Sequence, residues 1–330
     1  LEWQGHHVTR EFYVNDAGSQ IQRLGASLWA RVQQRVGREA AIPEQGYHGA
    51  YLVELADKLL SMKGPAFADV AAAEGADVCR AFAVEALKAE QREDLEQFRV
   101  RFDVFFDESR LYAEDRVGAA VQALAARGVL YEEGGALWLR TTAHGDDKDR
   151  VLRKSDGSYT YFLPDIAYHE DKAQRGFDRA IDVWGADHHG YVPRMRAAML
   201  ALGHGEAFFE ALIVQLVTVL RHGEEVRMSK RAGEFVALRD LVDEVGVDAA
   251  RYFFLMRKSD TPFVFDIDLA TSRTDENPVY YVQMAHARMA GIFRVGGVAA
   301  SGVGVEDADV AALVDPSEAD LIKTLGRFPL

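Results

Sequence analysis

The chain has 330 residues, a length that predicts about two domains, and 48% of them are hydrophobic, enough for a sizeable core. The net charge of −14 excludes a non-specific nucleic-acid binder, because such binding depends on basic side chains that neutralise phosphates. The single cysteine, Cys79, excludes a disulfide framework and favours a reducing, cytoplasmic location. No stretch reaches the roughly 18 apolar residues of a membrane span, so we expect no membrane association.

The first segment predicts one α/β unit. Residues 8–14 alternate polar and apolar side chains, as a half-buried strand does. The next residues, "NDAG", have turn chemistry, and Ser19 is predicted to cap a helix that reaches about Val36. The turn therefore follows the carboxyl end of the strand.

Residues 37–140 predict a mainly helical insertion. Two long helical stretches precede the strand-like "FDVFFDES", in which Ser109 is expected to cap a further helix, "RLYAEDRVGAAVQALAARG". The segment "GVLYEEGGALWLRT" predicts a hairpin around its Glu-Gly-Gly turn.

The segment from residue 150 carries more chemistry. The Asp156-Gly157 pair between two β-rich runs is a strong hairpin signal. Pro164 suits the first turn of a helix that carries Asp165, Tyr168 and His169. From the residues alone, Asp165 is better explained as a helix-start carboxylate favoured by the helix dipole than as a ligand-binding group.

A predicted short buried strand, "DRAIDVW", leads directly into "GADHHG" and a helix from Tyr191 to Leu202. Asp187, His188 and His189 then lie in a strand-to-helix loop, where open α/β sheets bind ligands. Adjacent histidines on a strand face opposite sides, and no second ligand cluster has suitable spacing, so no metal site is predicted. His188 is better explained as a polar ligand-binding group.

The apolar run of residues 208–220 predicts a buried strand or helix and leads into a basic loop with Arg227, Lys230 and Arg231. Two helical stretches follow, then a third that begins another helical domain, while residues 297–317 predict a flexible connection.

The Walker A, G-x-G-x-x-G and G-x-S-x-G patterns are absent from the sequence. The basic loop is therefore the candidate for closing over a polyphosphate, although most loops of this composition are simply solvated turns.

Several segments together resemble one family. "RMSKRAG" resembles the K-M-S-K-S signature of class I aminoacyl-tRNA synthetases, and "WGADHHGYVPR" resembles their ribose-binding stretch. With "REFYVNDAGSQIQRLG", "SDGSYTYFLPDIAYHEDK", "GVDAARYFFLMR" and "ENPVYYVQMAHAR", the chain from about residue 8 to 296 resembles bacterial arginyl-tRNA synthetases.

The resemblance implies an α/β fold: a Rossmann-like parallel-sheet catalytic domain with a helical insertion, followed by an α-helical region. It assigns residues 1–36 to the remnant of the first catalytic half, 37–140 to the insertion and 141–235 to the second half. Residues 236–276 would contact the tRNA stem, and 277–330 would begin the anticodon-binding domain. The implied activity is ATP-dependent formation of arginyl-adenylate from L-arginine, followed by transfer to tRNA(Arg), by a cytoplasmic monomer. Mg²⁺ is implied by the ATP chemistry.

By the same resemblance, Lys230 contacts the phosphates and stabilises the transition state, while Met228, Ser229 and Arg231 shape the loop. Arg227 replaces the first lysine of the family signature, which keeps the charge and changes the geometry.

The substrate pocket is implied in the same way. Asp165 would pair with the substrate guanidinium beside Tyr161, and His188 would lie in the same pocket. Asp187 would contact the ribose hydroxyls of ATP. The loop residues Asn15, Asp16 and Gln20 border the site without an assigned role.

Two departures from the family pattern lead to a further expectation. The sequence contains no H-x-G-H motif, and the helical region is short, so we expect a fragment truncated at both ends that cannot aminoacylate alone. The competing hypotheses are a non-catalytic synthetase-like module that binds arginine or tRNA, and a different nucleotidyl transferase on the same fold.

Overall fold

A computed structural model describes residues 1–226, 237–297, 299 and 310–327. The chain divides into two compact units, Leu1–Ala270 and Thr271–Leu330. The finer division into five segments stays a prediction. No helix within the described ranges combines the length and the apolar character needed to cross a membrane.

Short strands form parallel and antiparallel ladders in the first unit. Their bounds in the described residues are Glu11–Val14 (β1), Val104–Asp107 (β2), Leu130–Glu133 (β3), Ala136–Leu139 (β4), Arg150–Arg153 (β5), Ala180–Gly185 (β6), Phe209–Val214 (β7), Val217–Arg221 (β8), Glu224–Glu225 (β9) and Phe263–Asp266 (β10). The pairs β1–β2, β6–β7 and β8–β10 are parallel, as the predicted α/β fold requires. Antiparallel pairing joins β3, β4 and β5, and also β8 and β9.

Helices connect and flank these strands. Their bounds in the described residues are Gly18–Arg35 (α1), Tyr51–Lys63 (α2), Ala72–Gln97 (α3), Ser109–Ala113 (α4), Arg116–Ala126 (α5), Phe162–Gln174 (α6), Val192–Ala201 (α7), Leu238–Val245 (α8), Val247–Leu255 (α9), Ile267–Thr271 (α10), Pro278–Val295 (α11) and Pro316–Leu325 (α12). Short 3-10 turns include Thr141–His144 and Ala186–Tyr191. The second of these turns carries the "GADHHG" residues directly after β6, as predicted.

Two hydrophobic cores lie in the first unit. One joins α5, α6 and α7 to the strands through side chains such as Leu124, Leu163 and Met195. The other joins α1, α2 and α3 around Leu28 and Leu52. The helices between β1 and β2 therefore have a core of their own, and the α6–β6–α7 region is held by a separate one.

The two predicted helix caps are wrong. Helix α1 begins at Gly18, one residue before Ser19, and Ala17 precedes it without a side-chain capping bond. Ser109 lies inside the first turn of α4, where its backbone N–H and hydroxyl donate to the Asp16 carboxylate at 2.8 and 2.6 Å. An aspartate from the loop after β1 thus supplies the acceptor at this helix start, and the serine acts as a donor.

The stretch predicted as one helix after β2 is divided. Asp115 has a φ of 52°, in the left-handed region, and separates α4 from α5. Aspartate tolerates this conformation better than most residues, so the sequence pattern conceals the break. Helix α5 then contributes Val117 and Leu124 to the core that also contains α6.

The expectation of a short buried "DRAIDVW" strand is only partly met, because one of its faces is exposed. Strand β6 alternates: Ala180 is buried, whereas Val183 on the opposite face is 67% exposed. The run of residues 208–220 forms two strands, β7 and β8, and Leu216 between them is 77% exposed. The paired residues Val183 of β6 and Leu212 of β7 are both exposed, whereas Ala180 and Phe209 are buried in the core that also contains α6 and α7.

Both predicted glycine turns are present. Gly134 and Gly135 have positive φ and join the antiparallel strands β3 and β4. Gly157 also has positive φ, but the strands beside it pair through a single bridge between Arg153 and Tyr159. The hairpin prediction is therefore confirmed at the first turn and reduced to a bridge at the second.

Candidate active site

Asp165 lies in the first turn of α6, directly after Pro164, as predicted. Its neighbours Leu163 and Ile166 point into the core, and the Asp165 side chain is half-buried. The hydroxyl of Tyr191 donates to Asp165 Oδ2 at 2.6 Å. Burial raises the pKa of Asp165, while this hydrogen bond and the charge of His169 oppose the rise. The Asp165 carboxylate is thus partly desolvated and accepts a hydrogen bond from the Tyr191 hydroxyl.

The buried side chain of His169 joins the first turn of α6 to β6. His169 Nδ1 lies 2.7 Å from the backbone oxygen of Asp165, and Nε2 lies 2.7 Å from Asp182 Oδ2. Lys172 Nζ donates to Asp182 Oδ1 at 3.0 Å. Although burial raises the pKa of Asp182, His169 and Lys172 together hold it well below its ordinary value.

A second carboxylate faces this region from β2. Glu108 follows the strand directly, and the nearby hydroxyls of Tyr13 and Tyr112 act to lower its pKa. With its amide nitrogen turned inward, Asn15 donates to Glu108 Oε2 at 3.1 Å. Burial, and then repulsion from the carboxylates of Asp165 and Asp16, raises the pKa of Glu108. Two carboxylates from separate elements therefore share one electrostatic neighbourhood.

Sequence reasoning missed Glu108 and Tyr191 as site residues. A usable signal for Glu108 existed, because it ends a predicted strand whose partner β1 also ends beside the Asn15 loop. The carboxyl ends of parallel strands meet at one edge of a sheet, so polar residues there converge. No comparable signal marked Tyr191, which the sequence places only at the start of a helix.

The other predicted pocket residues are more exposed. Tyr161, just before α6, is 73% exposed and close enough to Tyr112 to contribute to the raised pKa of that phenol, after burial and the charges of Glu108 and Asp165. His188 Nε2 lies 3.6 Å from Asp187 Oδ2, and both side chains are largely exposed. The charge of His188 also acts on Asp165. Tyr161 and His188 are therefore exposed, whereas Asp165 is half-buried.

The predicted phosphate-binding loop lies outside the described residues. This applies to Arg227, Met228, Ser229, Lys230 and Arg231. Elsewhere in the chain, no group of three or more His, Cys, Asp or Glu side chains within the described residues could hold a metal ion. A dedicated protein cage for Mg²⁺ does not fit these residues.

Comparison with known proteins identifies the family. The sequence profile described as "tRNA synthetases class I (R), catalytic domain" matches residues 1–276. The chain is 49% identical over 330 residues to an arginine–tRNA ligase of Bacillus licheniformis and 50% identical over 328 residues to one of Listeria welshimeri. These alignments cover 100% and 99% of this chain and 59% of each relative. The chain thus spans less than two thirds of the length of these relatives.

Solved structures agree with the sequence comparison. A protein described as an arginyl-tRNA synthetase of Campylobacter jejuni superposes with a TM-score of 0.88 at 37% identity, covering 97% of this chain and 69% of its own. The arginyl-tRNA synthetase of Plasmodium falciparum has a TM-score of 0.64 at 17% identity, over 97% of this chain and 57% of its own, and supports the fold alone. The chain belongs to the arginyl-tRNA synthetase family of class I tRNA synthetases, and residues 1–276 correspond to their catalytic domain.

Proposed function

We propose that this chain carries the arginine-binding part of an arginyl-tRNA synthetase active site. The observation that supports it best is that two carboxyl groups from separate elements act on each other: the half-buried Asp165 on α6, bonded to the Tyr191 hydroxyl, and the buried Glu108 after β2. Two neighbouring carboxylates repel each other, and this repulsion adds to burial in raising the pKa of Glu108. A cation that enters between them would relieve this repulsion.

A guanidinium group is the cation that best fits this arrangement. It is planar, permanently charged and rich in N–H donors, so it can meet one carboxylate at each edge. A lysine ammonium lacks this forked geometry, and citrulline lacks the charge. Asp165 and Glu108 supply the acceptors, while Tyr161 and His188 border the mouth of the pocket.

The proposed reaction needs no protein nucleophile. The arginine carboxylate oxygen attacks the α-phosphorus of ATP, pyrophosphate leaves, and the resulting arginyl-adenylate donates its arginyl group to the terminal ribose of tRNA(Arg). Catalysis then depends on positioning the substrates and on stabilising the charge that develops on the phosphates. Mg²⁺ would accompany ATP and take most of its ligands from the phosphates and water.

The nucleotide contacts in this proposal come from two places. Asp187, on the exposed turn after β6, would accept hydrogen bonds from the ribose hydroxyls. Lys230 would neutralise the phosphates as a point charge, with Arg227, Met228, Ser229 and Arg231 forming the rest of that loop. The helical segments after residue 236 would contact tRNA(Arg), and the enzyme would act as a cytoplasmic monomer.

Arginine binding by the 330-residue chain tests the pocket assignment. Because the sequence contains no H-x-G-H motif, calorimetric binding of L-arginine is a better measurement than turnover. We expect Asp165→Asn to weaken arginine binding by more than about tenfold, since it removes a charge-assisted partner, and to leave ATP binding unchanged. Asp178→Asn, at an exposed aspartate before β6, is the matched control. An equal loss of ATP binding in Asp165→Asn, or unchanged arginine binding, would contradict the assignment.

A further inference from the structure

Tyr191 makes the one hydrogen bond that the Asp165 carboxylate receives from the described residues. Its hydroxyl donates to Oδ2 at 2.6 Å from the end of the turn Ala186–Tyr191, 26 positions further along the chain. A bond this short between a phenol and a carboxylate is charge-assisted and stronger than a neutral hydrogen bond. The Oδ1 edge of Asp165 is left without a donor within the described residues.

The Tyr191 ring is fixed from three directions. Phe162 of α6 meets it edge-on with ring centroids 5.8 Å apart, and Trp184 of β6 does so at 5.7 Å. The Arg194 guanidinium of α7 lies 4.9 Å from the Tyr191 ring centroid. Aromatic and cation–π contacts of this kind restrict the ring rotamer, so the hydroxyl is aimed at Asp165 before any ligand arrives.

A fixed donor has two consequences for a half-buried carboxylate. It selects one rotation of the carboxyl group, with Oδ2 toward Tyr191 and Oδ1 turned away from it. It also stabilises the charged form, which burial disfavours. Each carboxylate oxygen can accept two hydrogen bonds, so Oδ2 keeps one open position and Oδ1 keeps both.

We propose that Tyr191 is a positioning residue that holds Asp165 so that its open oxygen edge faces the substrate guanidinium. This inference rests on the proposed arginine pocket and adds a residue that sets its geometry. Within the described residues, no other tyrosine hydroxyl forms a hydrogen bond with the Asp165 carboxylate: Tyr13 and Tyr112 interact with Glu108, and Tyr161 is 73% exposed.

The other groups that act on Asp165 belong to other residues, so Tyr191→Phe leaves their chemistry unchanged. These are His169 on α6, Asp182 on β6, His188 on the turn after β6, Glu108 after β2, Tyr13 on β1 and Tyr112 on α4. A change in Asp165 titration caused by Tyr191→Phe therefore reports on the hydroxyl itself.

The test compares Tyr191→Phe with Tyr168→Phe in the 330-residue chain. Tyr168 is a matched control because it lies on α6, is buried, and its phenol interacts with a different carboxylate, Glu11. Calorimetry with L-arginine across the acidic range should find binding weakened about tenfold in Tyr191→Phe near neutral pH. The pH at which binding is lost on acidification should also move upward, because Asp165 without its donor protonates more readily.

A second measurement needs no arginine. An NMR titration that follows the carboxyl carbon resonance of Asp165 measures the pKa of this group. That pKa should be higher in Tyr191→Phe than in the wild type and in Tyr168→Phe. An unchanged titration together with an unchanged pH profile would overturn the proposal for Tyr191. If Asp165→Asn fails to weaken arginine binding, the pocket assignment fails instead, and the NMR titration still decides whether Tyr191 positions Asp165.

Discussion

His169 Nε2 and Asp182 Oδ2 lie 2.7 Å apart in the core that supports the candidate site. The other ring nitrogen lies 2.7 Å from the backbone oxygen of Asp165, so the His169 ring joins α6 to β6. Lys172 Nζ donates a hydrogen bond to the other carboxylate oxygen of Asp182, Oδ1. The turn of α6 that carries Asp165 is therefore tied to β6 by a buried ionic cluster.

Replacing Asp182 with asparagine should destabilise the chain near neutral pH by about 3 kcal/mol, since it leaves buried cationic partners without a counter-charge. A carboxyl whose pKa is lower in the folded state adds stability above its unfolded pKa of about 4 and loses it as the pH falls toward the folded value. The difference between wild type and Asp182→Asn should therefore be full at neutral pH and shrink below about pH 4.

Urea unfolding at neutral and acidic pH measures this difference. Asp178→Asn, at an exposed position near the start of the same strand, serves as the control and should change stability little at either pH. A destabilisation by Asp182→Asn that is equally large in acid would indicate lost packing rather than lost charge.

The crossing of α1 and α3 predicts a second stability effect. A Cβ on Gly25 would lie 2.7 Å from the backbone oxygen of Ala76 and 2.6 Å from Arg80 Cβ, closer than either can accommodate without a shift. Gly25→Ala should therefore destabilise the chain by about 1–3 kcal/mol despite the higher helix propensity of alanine.

Gly205→Ala is the control for this crossing, because a Cβ there meets nothing within 4 Å. Denaturant midpoints of the two variants give the comparison. A neutral or stabilising Gly25→Ala would mean that the two helices separate at little cost.

Local features of the site were predictable from the sequence, and its long-range contacts were not. Pro164 marks the start of α6 by its fixed φ and missing N–H, so the placement of Asp165 in a first turn follows from neighbouring residues. The bond between Asp165 and Tyr191 joins positions 26 apart on two elements. Only the packing of α6 against the turn after β6 brings them together.

The same distinction explains the errors in the fold. Asp115 interrupts a helix through one positive φ that hydrophobic periodicity does not reveal. Val183 is as apolar as a buried strand residue, yet it is 67% exposed, because exposure depends on which element covers that face. Ser19 has the chemistry of a cap, but the preceding Gly18, with a φ of 84°, already begins the helix.

The basic loop offers a test of the proposed nucleotide contacts. If Lys230 neutralises ATP phosphates, Lys230→Ala should weaken ATP binding about tenfold and leave arginine binding unchanged, because a charge-assisted contact to phosphate is lost. Lys154→Ala, at an exposed lysine in the turn after β5, is the control. Equilibrium binding of ATP and of arginine should be measured on the same samples, and a parallel loss of both ligands would assign Lys230 a structural role.

Replacing Glu108 with glutamine should stabilise the fold and weaken arginine binding. Burial and the neighbouring carboxylates raise its pKa, so its ionisation opposes folding. A carboxyl with a raised folded pKa contributes stability below its unfolded pKa, and that contribution is lost as the pH rises through the folded pKa. Glu108→Gln keeps an oxygen acceptor for the Tyr13 and Tyr112 hydroxyls and has no charge to lose.

We therefore expect Glu108→Gln to melt at a higher temperature than wild type at neutral pH, with a smaller gain in acid. Its arginine affinity should fall about tenfold, because a guanidinium pairs more strongly with a carboxylate than with an amide. Glu132→Gln, at an exposed glutamate on β3, controls for the loss of one surface charge. Calorimetric melting and arginine titration of both variants test the two effects separately. A loss of stability at neutral pH would contradict the claim that Glu108 ionisation opposes folding, and unchanged arginine binding would remove Glu108 from the pocket. The same carboxylate would then be explained as a partner of its tyrosines alone.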